Sequence, residues 1–140
     1  IVRKHVLDMG IKKMIDIGGN TGKWAISCVQ ESPTIEVTMV DLPGQLRMAE
    51  KKVTEMGLAN RIHFHPVNIL DEKEQFPHGH DAIWMSQFLD CFSEAQIVSI
   101  LRRAAAAGAC DDGDRSTRRA ERARVTRAGA SAAPPRSRHA

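Results

Sequence analysis

No run of eighteen or more apolar residues occurs in the 140-residue chain, so no transmembrane helix is expected. The first residues lack the charged start and long apolar core of a secretory signal, so none is expected either. Cysteine is scarce: Cys28, Cys91 and Cys110 lie far apart, with no C-x-x-C pair. This odd, scattered count excludes a disulfide framework and argues against a zinc site. It fits reduced thiols in a cytoplasmic protein. The dinucleotide fingerprint G-x-G-x-x-G is also missing, because the positions where its second and third glycines would fall hold Asn20 and Lys23. A pyrophosphate cradle, and with it an NAD-dependent oxidoreductase, is thereby disfavoured. What remains is ordinary for a soluble domain, with 42% hydrophobic and 26% charged residues.

The net charge of +3 hides two unlike parts. Residues 1–101 carry 10 basic and 13 acidic residues, whereas the remainder carries 10 Arg against 4 acids. The basic character belongs to the tail, so nucleic-acid binding by the body is not expected. From Ala104 to Ala140 there are 12 Ala and 8 Arg, and Val125 is the only branched aliphatic residue. Such a composition buries too little apolar surface to offset the entropy of ordering. The expected organisation is therefore a folded part over 1–103 and a disordered Ala/Arg-rich arm over 104–140, with Ala104 to Ala107 available to extend the preceding helix. A native basic arm and an out-of-frame translation of GC-rich DNA both explain the arm's composition.

Before that arm, strand-like and helix-like segments alternate. Val2, Val6 and Met9 suit a short helix stopped at Gly10. Residues 13–17 and 35–40 read as strands, 21–30 as a helix between them. Pro43 to Met56 reads as a helix with Leu46, Ala49, Val53 and Met56 on one face. Residues 61–67 and 81–85 are further strands. Ser93 with Gln96 forms a capping-box pattern ahead of a last helix. This alternation predicts an α/β fold: a Rossmann-like parallel sheet with helices on both faces, truncated after about four strands.

The informative stretch is Asp16-Ile17-Gly18-Gly19-Asn20-Thr21-Gly22, which closes the first strand and opens a helix. In an open parallel sheet, ligands bind outside the carboxyl ends of strands where strand order reverses. Glycines allow a tight bend and close ligand approach, and Asn20 tolerates a left-handed conformation. A carboxylate two residues before the first glycine suits a cationic ligand group better than a phosphate. The second element is Val37-Thr38-Met39-Val40-Asp41-Leu42-Pro43. A carboxylate ending the second strand can accept both hydroxyls of a ribose. The Asp16 turn favours a nucleoside bearing an amino acid and a sulfonium, whereas Asp41 alone suits that ligand and NAD alike.

On these residues the chain resembles a class I S-adenosyl-L-methionine-dependent methyltransferase. It is most similar to the catalytic domain of plant-type and bacterial small-molecule O-methyltransferases. Asp81 to Leu101 (DAIWMSQFLDCFSEAQIVSIL) adds a third matching segment. The resemblance implies that Asp16, Gly18, Gly19, Asn20 and Gly22 form the turn at the methionine part of the cofactor. It places Asp41 at the ribose hydroxyls and Leu42 beside the adenine. It sets Asn68 to hydrogen-bond the adenine amine and Ile69 to pack on its face. The family's cofactor-contacting Lys is Ser86 here, and the plant enzymes' general-base His is Asp90. The implied activity is O-methylation of a small-molecule hydroxyl, impaired in a truncated chain. A non-catalytic cofactor-binding module is the alternative. Full-length relatives are expected to be homodimers. His63, His65, His78 and His80 read as exposed, with no metal site. Trp24 and Trp84 read chiefly as packing residues.

Overall fold

A computed structural model describes residues 2–108. The chain runs α1 (Val2–Asp8), β1 (Lys13–Ile17), α2 (Lys23–Glu31), β2 (Glu36–Asp41), α3 (Pro43–Glu55), β3 (Ile62–Pro66), β4 (Ala82–Trp84) and α4 (Glu94–Gly108), with a 3-10 turn at Leu89–Cys91 before α4. The four strands form one parallel sheet in the order β3-β2-β1-β4. Chain order therefore reverses at β1, and the carboxyl ends of β1 and β4 flank the crevice where such sheets bind ligands.

The period-two alternation of strand side chains builds two cores. Met14, Val37, Met39 and Ile62 point to one face, against Ala25, Cys28 and Val29 of α2 and Leu46, Ala49 and Val53 of α3. Ile15, Ile17 and Val40 point to the other, against Ile100, Ala104 and Ala107 of α4. Burial on both faces explains why β1 and β2 read as nearly continuous apolar runs. The helices therefore cover both faces, as the alternation predicts.

Local contacts fix the ends. Arg61 donates to the carbonyls of Ser32 (2.7 Å) and Val29 (2.6 Å) at the C-terminus of α2, where helix carbonyls lack intrahelical partners. The Ser93–Gln96 capping box forms: the Ser93 amide donates to Gln96 Oε1 (3.0 Å) and the Gln96 amide to Ser93 Oγ (3.4 Å). Helix α4 runs on to Gly108, taking in the stretch Ala104 to Ala107 that was available to extend it, and Ala104 and Ala107 are buried on the sheet. The arm expected from the tail composition otherwise lies outside the described residues. Among the described residues no helix is long and apolar enough to cross a membrane.

Candidate cofactor site

The turn after β1 is strapped to the end of β2. The Gly18 amide donates to the Val40 carbonyl (2.8 Å). The Asn20 amide donates to Asp41 Oδ2 (3.1 Å), and the Leu42 amide to Asp41 Oδ1 (2.7 Å). Asp41 thus holds the glycine turn through Oδ2 and its own following peptide through Oδ1. Each oxygen has lone pairs left for another donor. Asn20 adopts φ 48°, the left-handed conformation expected of it.

Two glycines have a further structural reason. Gly18 has φ 74°, and a Cβ there would lie 2.3 Å from Cδ2 of Phe88. A Cβ on Gly19 would lie 2.7 Å from Asp16 Oδ2 and 2.9 Å from Met39 Cε. The space cleared by these residues is thus shared between protein side chains and the cavity beside them. Gly22 caps α2 at φ 73°.

That cavity has a volume of about 320 Å³ and is lined by Asp16, Gly18, Gly19, Lys23, Trp24, Ser27, Trp84 and Ser86. It lies at the switch point, between the ends of β1 and β4 and the first turn of α2. Its size falls at the lower end of small-molecule sites, roughly 300–1,000 Å³. The decisive group is Asp16. It is 2% exposed, and its Oδ2 has no hydrogen-bond partner. Burial, with a smaller contribution from the charge of Asp41, pushes its carboxyl up from 3.8 to about 7. A buried acceptor left unpaired is costly and calls for an explanation. A ligand cation or N–H donor at this point supplies one.

The structure thus brings Asp16, Gly18, Gly19 and Ser86 around one cavity and ties Asn20, Gly22, Asp41 and Leu42 to the same turn. Asn68 opens the loop after β3, beside Asp41, because the Val67 amide donates to the Asp41 carbonyl (3.0 Å). Ile69 is placed differently. It is 5% exposed and packed with Phe76, Ile100 and Ala104 in the second core, so its side chain is spent on the interior rather than on a ligand face. Asp90 is exposed on the 3-10 turn and does not line the cavity.

Four lining residues were not expected as principal contacts. Lys23, Trp24 and Ser27 project from the first turns of α2, and Trp84 from the end of β4. The two indoles stack with centroids 4.3 Å apart and planes 9° apart. The spacing of 24 and 27 on one helical face was the available signal, but only the β1–β4 pairing shows that Trp84 meets it. His63 lies 3.5 Å from Glu36, and His65 bonds the Gln75 carbonyl (3.2 Å). Among the described residues no group of three His, Cys, Asp or Glu is placed to hold a metal ion.

Comparison with known proteins is consistent across sequence and fold. The O-methyltransferase domain family profile matches residues 2–114. The chain is similar to the L-tyrosine C(3)-methyltransferase of Streptomyces lavendulae, with 31% identity over 101 residues, 71% of this chain and 27% of that protein. It is 32% identical over 95 residues to the demethylspheroidene O-methyltransferase of Cereibacter sphaeroides, covering 68% of this chain and 24% of the relative. The chain thus spans about a quarter of the length of the curated relatives it matches. Among solved structures, the S-adenosylmethionine-dependent methyltransferase SibL superposes with a TM-score of 0.70 at 28% identity, over 76% of this chain and 31% of that one.

Proposed function

Because the chain belongs to the O-methyltransferase domain family, we propose that it forms the cofactor-binding part of an S-adenosyl-L-methionine-dependent methyltransferase acting on a hydroxyl of a small molecule. One observation carries this reading: Asp16, which lines the cavity, keeps a buried Oδ2 with no hydrogen-bond partner, while Asp41 straps the same turn. An adenosyl sulfonium with an α-amino group fits that donor set. Its ammonium suits Asp16, its ribose hydroxyls suit Asp41, and the glycine turn leaves room between them. When bound, the cofactor supplies an activated methyl group. The residues of this chain orient it, and well-oriented reacting pairs gain roughly 7–11 kcal/mol through proximity.

Asn68 and Leu42 take the adenine side, and Ser86 contributes a hydroxyl at the cavity wall. Asp90 is the candidate base, supported by its place four residues after Ser86 on the turn leading to α4. Proton transfer by such a group adds about 10²–10⁴-fold. Its exposed position outside the cavity favours a second reading, a cofactor-binding module without turnover. Formation of S-adenosylhomocysteine from added S-adenosylmethionine in the presence of small phenols separates the two. A homodimeric full-length protein and a cytoplasmic location belong to the same proposal, resting on the resemblance and the reduced-thiol composition.

Calorimetric titration of the full chain with S-adenosylhomocysteine and with NADH tests the cofactor. Heat from the first and none from the second is expected. The reverse pattern overturns the assignment.

Asp16 gives a second, pH-dependent expectation. In the ligand-free protein the raised carboxyl binds a proton more tightly than the unfolded chain does. Its contribution to stability is full below the ordinary value of 3.8 and is lost as pH rises through about 7. A ligand ammonium beside Oδ2 favours the ionised form. Binding near pH 6 is therefore expected to release about one proton, and binding well above pH 7 almost none. Titrations in buffers of different ionisation enthalpy measure this count. A release that does not change with pH removes Asp16 from the contact.

A further inference from the structure

The loop after β3 is held by a residue of the last described helix. Arg103, on α4, donates through Nη2 to the Ile69 carbonyl. Through Nη1 it donates to the carbonyls of Asp71 (3.0 Å) and Glu74 (3.1 Å). Its guanidinium lies over the ring of Phe76, 4.9 Å from the centroid, and Phe76 is itself fully buried. A planar fork of N–H donors suits three converging carbonyls; a lysine ammonium offers no such fixed geometry.

One of these carbonyls has a particular consequence. The Ile69 carbonyl and the Leu70 amide belong to a single planar peptide unit. The Leu70 amide donates to Oδ1 of Asn68 (3.2 Å). Arg103 therefore holds one end of that plane while the other end orients the Asn68 side chain. Rotating the plane breaks both bonds together, and bonds so linked polarise one another. Oδ1 accepts only this one described bond, so a lone pair remains for a ligand donor. Ile69 anchors the same peptide from below through its buried side chain.

We propose that Arg103 is a positioning residue for the cofactor site, setting the orientation of Asn68 through the Ile69–Leu70 peptide so that Oδ1 meets the exocyclic amine of the purine. This rests on the adenosyl-cofactor reading above. It makes recognition of the base depend on α4, although α4 itself does not line the cavity.

The test uses the full chain, its Arg103→Met and Arg103→Lys variants, and Asn68→Ala. The probes are S-adenosylhomocysteine and S-inosylhomocysteine, which differ at the exocyclic amine. The parent is expected to prefer the adenosyl form about tenfold, the worth of one such bond. Arg103→Met and Asn68→Ala are both expected to reduce that preference to within about twofold, with Arg103→Lys between them. Hydrogen exchange of the Leu70, Asp71 and Glu74 amides is expected to quicken in Arg103→Met while that of the Asn20 and Leu42 amides does not. A lowered melting temperature with the preference intact would show Arg103 to be structural only and overturn the proposal. Unchanged exchange in the loop overturns it equally. If Arg103→Met does not fold, Arg103→Lys decides by the same two readouts. Failure of the parent to bind either probe instead overturns the cofactor reading, and with it the basis of this one.

Discussion

Asp41→Ala is expected to weaken S-adenosylhomocysteine binding by about 10²-fold or more. Hydrogen bonds to a charged group contribute about 1.5–3 kcal/mol each, and a ribose offers two hydroxyls. The substitution also frees the Asn20 and Leu42 amides that Asp41 now accepts at 3.1 and 2.7 Å, loosening the glycine turn. Asp41→Asn keeps the volume and one acceptor oxygen and is expected to recover part of the loss. The charge has a separate signature. Asp41 contributes to the raised carboxyl of Asp16, so either substitution moves proton release on binding to lower pH. Calorimetry on variants checked for native circular dichroism measures both effects. Affinity unchanged in Asp41→Ala removes the ribose assignment.

The second large effect concerns folding. Gly18→Ala is expected to destabilise the domain by about 2–5 kcal/mol. The left-handed backbone at φ 74° costs a side chain about 1–2 kcal/mol. The new methyl group, 2.3 Å from the Phe88 ring, adds an overpacking cost of about 1–3 kcal/mol. The ring also meets Phe92 edge-on at 4.8 Å, so moving it aside disturbs that contact. A loss of this size is a large fraction of the roughly 5–15 kcal/mol that holds a domain folded. In a Phe88→Ala background the same change meets no ring, and only the backbone cost of about 1–2 kcal/mol is expected. Urea denaturation of the four proteins gives the coupling directly. Costs that simply add would show that Phe88 is not what forbids a side chain at position 18.

The elements were legible in the sequence because each is specified locally. The apolar pair Ile15 and Ile17 flanking Asp16, Pro43 at the start of α3, and Ser93 with Gln96 at the start of α4 act over three or four residues, the range at which hydrogen bonds and side-chain periodicity operate. The glycine turn and the two acids were legible for the same reason, since a left-handed backbone and a strand-end carboxylate constrain residue type whatever surrounds them. The extension of the last helix over Ala104 to Ala107 was open in the sequence, because alanine is compatible with either a helix or an unstructured arm; the sheet surface that buries Ala104 and Ala107 decided for the helix.

By itself, then, the sequence determined the order of strands and helices, the parallel sheet they must form and the glycine turn between β1 and α2. Tertiary structure alone decided that Ile69 turns inward, that Trp24 meets Trp84, that Phe88 rests on Gly18, and that Arg103 reaches back across more than thirty residues to the loop carrying Asn68. The physical reason is range. Backbone propensity and periodicity act between near neighbours, whereas these contacts arise only when the sheet places β1 beside β4 and α4 across its face, and nothing in a local pattern encodes which distant side chain will fill a given space.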